Sequence, residues 1–479
     1  MDNLSAKKII SSFSFMSGAT LLTIILGIAT NKLIAFFAGP EGIGIVSLFR
    51  SFLGFVVPVL TVGTTTIIVQ LISTSSSSKK VSEIIKSVFN LFILQVIAVI
   101  IAAIFLSGYI SNWLFPDAEQ YEHVYEVRIV FAMSLAVLFS QTMIALINGK
   151  VNIKTVTTIN IATALSTLLI AFPLIRLGNM GFAAIVGSGS LVGSAVGLYY
   201  VRLIYKKELR SFRLSLAALK NFSSLPISFW LLIHPLIVSA TYLNIQVIVN
   251  EYYGINALGI YSAVAMLETT TIMLLMAAMK TYCLPTLGQI IIQKDKENFI
   301  NKVLSILIIA VLPIIIILMF GAKYILWLLF SKEFQVGADI LVVHSMAMLC
   351  QVFGWCYAMF MLHKGHYRTH VFVDAIWASF LSFAIWFAAS NGFPLISISI
   401  MYVLGSFLSL ILYLVVSWRL YGRGMLELRN FFLFIVALVI VLAGFLISQK
   451  ATIVVQFTFA TIVGAGIVYF VIFNYRKVR

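Results

Sequence analysis

Apolar residues run along this chain in long blocks separated by short polar breaks. Fourteen blocks can be drawn, at roughly 9–37, 43–72, 87–107, 129–148, 155–175, 181–201, 221–249, 257–283, 303–321, 339–362, 371–389, 393–417, 430–447 and 453–473. An α-helix of about 20 residues crosses ~30 Å of hydrocarbon. No polar interval exceeds about 20 residues, so no soluble domain is expected between the blocks. The pattern predicts an all-α polytopic membrane protein with 14 transmembrane helices. The first block continues to about Phe37 with no small-residue cleavage pattern, and reads as a span, not a removable signal.

One polar break organises the first pair of blocks. Gly39-Pro40-Glu41-Gly42 reads as a turn, because proline cannot continue a helix and glycine tolerates a reversal. The pair is then a hairpin, with Lys32 before its tip and Arg50 after it. Both cations lie roughly 10–12 Å along their helices from the turn. A charge at that depth costs at least ~2.5–3.5 kcal/mol, so it faces a partner or a wet cavity.

Composition supports the membrane reading. Of 479 residues, 61% are hydrophobic and 10% charged, against about 25% charged in globular chains. Mean hydropathy is +1.07 and pI about 9.7. The net charge of +16 is explained without nucleic acid. With the N-terminus inside, 24 of 32 cations fall in inner segments and five (Arg128, Arg176, Lys323, Lys332, Lys450) in outer ones. That asymmetry predicts both termini cytoplasmic. The outer acids Asp117, Glu119, Glu122 and Glu126 read as a solvated face. Cys283, Cys350 and Cys356 lie in apolar runs without metal spacing and read as buried thiols.

The chain also repeats itself. Gly39…Gly44-Ile45-Val46-Ser47 recurs as Gly254…Gly259-Ile260-Tyr261-Ser262 at an offset of 215, and Leu114-Phe115 as Leu329-Phe330 at the same offset. Lys150…Lys154 recurs as Lys364…Arg368, and Gly181-Phe182 as Gly392-Phe393. Near-constant offsets imply a duplication. The expected organisation is a six-helix bundle at 1–206, a basic cytoplasmic linker at 207–220, a second six-helix bundle at 221–422 and an additional helix pair at 423–479. An even number of spans per half makes the bundles parallel, related by a pseudo-two-fold axis along the membrane normal and bordering a cleft that a transporter opens to alternate faces.

Polar residues inside the blocks are the candidate chemistry. Lys32, Arg50 and Lys280 suit an anion such as phosphate or diphosphate. The alternatives are that Lys280 snorkels to the inner surface and that Arg50 pairs with a carbonyl or Glu41. Glu268 and Asp374 are coupling sites for H⁺ or Na⁺, or else neutralise cavity cations. Asn31, Gln70, Asn160, Gln246 and Gln351 either line a cleft and bind sugar hydroxyls or bond neighbouring helices. His363, His366 and His370 have helical spacing, but Lys364 and Arg368 among them would repel a metal, and none is expected. No phosphate-binding Gly-Lys-Ser/Thr loop occurs, and no catalytic triad or carboxylate pair sits in a soluble pocket, so the chain does not read as an enzyme and needs no cofactor.

The stretch Asn31-Lys32-Leu33…Gly39-Pro40-Glu41-Gly42-Ile43-Gly44…Phe49-Arg50 resembles the first hairpin of Wzx-type O-antigen flippases and the enterobacterial common antigen flippase WzxE. So do Gly259-Ile260-Tyr261, Tyr282-Cys283-Leu284-Pro285-Thr286-Leu287, Trp327-Leu328-Leu329-Phe330-Ser331-Lys332-Glu333-Phe334 and Lys364…Arg368…Asp374. The resemblance spans residues 1–420. It implies membership of the multidrug/oligosaccharidyl-lipid/polysaccharide exporter (MOP) superfamily and transfer of undecaprenyl-diphosphate-linked oligosaccharide from the inner to the outer leaflet of the bacterial inner membrane. It also implies that Lys32 and Arg50 stand where the family carries cavity cations, and Asp374 where WzxE has a carboxylate. Implied partners are the lipid-linked substrate, membrane lipid, and the polymerase and glycosyltransferases of the pathway. An H⁺ or Na⁺ gradient or the membrane potential would drive transport. The last helix pair is a departure shared with lipid II flippases. The other readings are a multidrug or cation antiporter of the same superfamily and a membrane polysaccharide polymerase or ligase.

Overall fold

The computed structural model describes residues 3–61, 63–75, 77–116, 119, 122–150, 152–209, 229–422, 428–450, 459 and 463. Among them the regular structure is helical, without strands. The helices are α1 (Asn3–Thr61), α2 (Thr64–Thr74), α3 (Ser78–Phe105), α4 (Ser107–Leu114), α5 (Val124–Asn148), α6 (Ile153–Ile175), α7 (Gly178–Ile204), α8 (Lys206–Leu209), α9 (Phe229–Gln289), α10 (Gln293–Leu329), α11 (Ala338–Ser345), α12 (Ala347–His363), α13 (Tyr367–Ser390), α14 (Ile396–Tyr421) and α15 (Leu428–Lys450).

Eleven stretches among the described residues are long and apolar enough to cross a membrane. Two of them, Gly18–Thr61 and Ile233–Met276, have 44 residues each and contain a break, so each holds two of the expected spans. Thirteen expected spans are accounted for in this way, and the fourteenth, 453–473, lies outside the described residues except at 459 and 463. Side chains facing outward are those a bilayer accepts. Ile97, Ile100, Ile101, Ile104 and Phe105 of α3 are all about half exposed or more. The chain is a multi-pass membrane protein.

The two breaks are equivalent under the sequence repeat. α1 is interrupted at Gly39 (φ 60°, ψ −157°) and α9 at Gly254 (φ 80°, ψ 167°). That region of backbone space is open essentially only to glycine. Gly39 reverses the chain: the Arg50 guanidinium donates to Asn31 Oδ1 at 3.2 Å, whereas 19 residues of straight helix would separate the two by about 28 Å. Leu114 and Leu329, also paired by the repeat, each end a helix, with Phe115 and Phe330 as C-caps.

The chain forms two compact units, Met1–Gly259 and Ile260–Arg479. In the first, α7 packs along α5 and α6, and α1 along α6. Ile68, Ile72, Val81, Ile85, Met143, Leu146, Ile159 and Tyr205 pack in one buried core. The breaks in α1 and α9 meet in this unit. A Cβ on Gly44 would stand 2.4 Å from the Ile255 carbonyl oxygen, and one on Gly259 1.8 Å from that of Pro40. The 215 offset makes Gly44 equivalent to Gly259 and Pro40 to Ile255, so a single contact is made twice, as a local two-fold axis requires.

In the second unit, α14 packs against α12, α13 and α11. α15 is held to α10 by polar bonds: Asn430 Nδ2 donates to the Asn301 carbonyl and to Asn301 Oδ1, both at 3.0 Å, and Ser305 donates to Asn430 Oδ1 at 2.5 Å. From residue 210 onward, the expected linker lies outside the described residues.

Two local readings are corrected. The expected span 43–72 is divided by Gly63 (φ 71°) between α1 and α2. Glu126, expected on a solvated face, is buried in the first turn of α5, where unpaired amides favour a carboxylate. His123 Nδ1 stands 4.0 Å from it.

Candidate functional site

The reversal at Gly39 brings Asn31 and Arg50 together. Asn31 is buried and Arg50 partly buried. Arg50 finds a neutral amide, Asn31 Oδ1, at 3.2 Å. An amide orients the guanidinium without cancelling its charge, so the charge remains available to an anion. Lys32, the next residue, is exposed, on the face of α1 that also carries Phe36 at 73% exposure. The two arms of the hairpin thus bring a guanidinium and an ammonium near the same amide. The Lys280 side chain lies outside the described residues.

A second polar region of the first unit is a cleft of about 140 Å³, lined by Thr20, Thr23, Asn148, Thr157 and Asn160. Gln70 is exposed, and its backbone oxygen accepts from Ser73 and Thr74. Gln246 is partly buried, with Oε1 lacking a hydrogen bond. Beyond the end of α7, Tyr205 donates to the Leu146 carbonyl at 2.7 Å. Burial and the nearby Glu208 carboxylate push its hydroxyl pKa up. Ser78, Lys79, Lys86, Lys207 and Glu208 line a surface pocket beside it, where Ser78 donates to Glu208 Oε1 at 3.0 Å.

The second unit has opposite chemistry. Glu268 is 2% exposed, accepts from Thr269 at 3.3 Å and lies near Gln351. Gln351 Nε2 in turn donates to the Tyr402 hydroxyl at 2.9 Å, so it bonds neighbouring helices as one expectation held. Asp374 is buried at 8%. It accepts from Tyr413 at 2.7 Å, and its other oxygen is 3.6 Å from His370 Nε2. The three spaced histidines turn to different partners: His363 to Lys296 (3.1 Å), His366 to the Tyr421 ring and His370 to Tyr413.

Sequence reading missed His344, Tyr402 and Tyr413 as members of this polar interior. A signal existed in the hydroxyls at Ser399, Tyr402, Ser406, Tyr413 and Ser417, which share one face of α14. Their partners lie 39 to 55 residues away in the chain, and no local pattern names them.

Residues 9–291 match the family model described as "Polysaccharide biosynthesis protein". The chain belongs to that family. No curated protein sequence matches the chain. Among solved structures, the family member is similar to "Lipid II flippase MurJ, inward closed conformation", at 15% identity over 97% of this chain and 100% of that one, with a TM-score of 0.75. It is also similar to an inward-facing multidrug resistance MATE family transporter of the MOP superfamily (18% identity, 86% and 95% covered, TM-score 0.68). A MOP superfamily transporter from Pyrococcus furiosus matches at 16% identity, with 88% and 96% covered and a TM-score of 0.59. These likenesses establish the MOP transporter fold. The matched structures are transporters and a flippase.

Proposed function

We propose that this family member is a flippase for a polyprenyl-diphosphate-linked oligosaccharide. The substrate is an undecaprenyl-diphosphate-linked O-antigen unit or a similar glycan, carried from the inner to the outer leaflet of the bacterial inner membrane with both protein termini cytoplasmic. The observation that carries the reading is Arg50 held by the amide of Asn31, with Lys32 beside it. A diphosphate needs uncancelled positive charge at membrane depth, where charge is costly and a structural ion pair would have used an acid. Family membership supports the glycan pathway, and the fold of a lipid II flippase suits a substrate whose tail stays in lipid while its head group crosses. Access alternates between the membrane faces as the repeated halves, divided at 207–220, exchange arrangements.

Lys32 and Arg50 contact the diphosphate in this reading, with Lys280 a third cation. Asn31 positions Arg50, and Asn160, Gln70 and Gln246 face sugar hydroxyls. Glu268 and Asp374 couple the cycle to H⁺ or Na⁺. The test is replacement of Lys32 and Arg50 by Ala, one at a time, with surface polysaccharide and protein level both measured. Loss of polysaccharide at normal protein level is expected; normal polysaccharide in both variants would overturn the reading.

The sealed acids Glu268 and Asp374 favour a second reading, a multidrug or cation antiporter. Drug resistance on overexpression, with polysaccharide intact in a null strain, would establish it in place of the first.

A further inference from the structure

Helix α3 opens with lysines and continues, on the same face, with isoleucines. Lys79, Lys86, Ile93 and Ile100 follow one another at intervals of seven, which is two helical turns or about 10 Å each. Ile97 and Ile104 fall in the same stripe. The four isoleucines are 42–60% exposed, so the stripe turns away from the protein. Such a face meets hydrocarbon along its apolar part and the headgroup layer at its lysines.

A cavity stands at the basic end. It holds about 400 Å³, and Lys79 and Lys86 of α3 line it together with Lys207 of α8 and the acids Glu83 and Glu208. Two hydrogen bonds fasten α8 to α3 at its wall. Ser78 donates to Glu208 Oε1 at 3.0 Å and Ser82 to the Glu208 carbonyl at 2.9 Å. Among the described residues none of the three lysines makes an ion pair, although both acids share the cavity with them. Three ammonium groups therefore remain uncancelled around one space.

The sequence repeat shows what this cavity replaces. The offset of 215 pairs the start of α3, Ser78, with the start of α10, Gln293, and pairs Lys86 with Asn301. Asn301 is 3% exposed and accepts twice from Asn430 of α15. In the second unit another helix covers this position. In the first unit a cationic cavity occupies it.

We propose that the cavity between α3 and α8 binds the headgroup of an anionic glycerophospholipid, with the acyl chains lying along the isoleucine stripe. Three lysines and two glutamates leave a net charge of +1 (3 − 2), which a single phosphodiester balances. A diphosphate carries more negative charge than that, and the two carboxylates oppose it. The same carboxylates accept from hydroxyls, so the headgroup is a polyol such as the glycerol of phosphatidylglycerol. A headgroup held by Lys79, Lys86 and Lys207 ties α8 to α3 and fixes the end of the first unit ahead of the linker. The site concerns a lipid that is retained, not one that is moved, and stands apart from the flippase reading.

The experiment titrates the purified full chain with lipid and counts retained molecules by native mass spectrometry. The probes are the dioleoyl forms of phosphatidylglycerol, phosphatidylcholine and phosphatidylmethanol, and undecaprenyl diphosphate. Wild-type protein retains one phosphatidylglycerol in preference to phosphatidylcholine. Phosphatidylmethanol, with the same charge and no hydroxyl, binds more weakly. Lys79→Gln, Lys86→Gln and Lys207→Gln each weaken phosphatidylglycerol about fivefold, and the triple variant weakens it about a hundredfold. Glu83→Ala removes the preference over phosphatidylmethanol. Lys294→Gln with Lys302→Gln, at exposed positions of α10, leaves the affinity unchanged and controls for surface charge. Melting temperatures of the lipid-free variants match wild type. Wild-type affinity in the triple variant, or an equal loss in the α10 control, would overturn the site. Tighter binding of undecaprenyl diphosphate, lost in the same three lysine variants, would overturn the phospholipid and give the cavity to the transported lipid.

Discussion

Arg50 in the first unit and Glu268 in the second are both ionisable groups within apolar helices, and they are treated in opposite ways. Arg50 is partly open, steered by an amide, and has an exposed lysine beside it. Glu268 is sealed at 2% exposure among a threonine, a glutamine and the tyrosine beyond. A charge left open and uncancelled can meet a large external anion. A carboxylate enclosed by hydroxyls and amides has room only for something the size of a proton or a bare ion. Under the proposed function, the difference gives substrate capture to the first unit and energy coupling to the second. The two jobs separate because a site that held both signs of charge together would neutralise itself.

The sharpest way to break this comparison is to alter the sign of the first site. Arg50→Ala removes a charge-assisted hydrogen bond to phosphate, about 1.5–3 kcal/mol, and lowers export about ten- to a hundredfold. Asn31→Asp leaves Arg50 in place but supplies the missing acid, and an effect of the same size is expected in an assay of surface polysaccharide. Full activity in Asn31→Asp would mean that Arg50's charge is not used. Glu268→Gln is the converse change: turnover falls while affinity for the lipid diphosphate holds. If binding and turnover fell together, the division of labour would be wrong.

Smaller effects probe the scaffold. Gly259→Ala forces a Cβ toward the Pro40 carbonyl, now 1.8 Å from its ideal position, and is expected to destabilise by about 1–3 kcal/mol. Gly44→Ala, its counterpart against Ile255 at 2.4 Å, should behave alike, and thermal unfolding of the two variants measures the equivalence. The smallest change expected is from Asn430→Leu. It deletes the bonds that hold α15 to Asn301 and Ser305, at about 0.6 kcal/mol each in a membrane, and leaves transport intact.

Gly39 and Gly254 were readable before any coordinates because glycine alone fits the backbone that breaks a helix there, and the 215 offset repeats both the residue and its conformation. Lys32 and Arg50 were equally visible, since a cation within an apolar run needs a reason. The break at Gly63 was hidden: an apolar run has the same composition whether one helix or two pass through it. The α14 row escaped notice for another reason. Serine and tyrosine are tolerated on bilayer-facing and interfacial surfaces, and only His344, Gln351, His370 and Asp374, brought in by other helices, show that these face inward.

The most direct test of the central claim is equilibrium binding of undecaprenyl diphosphate, without sugar, to the purified full chain in wild-type, Lys32→Ala, Arg50→Ala and Glu268→Gln forms. The account predicts affinity about tenfold or more weaker in each cation variant and unchanged in Glu268→Gln. Wild-type affinity in both cation variants would contradict it.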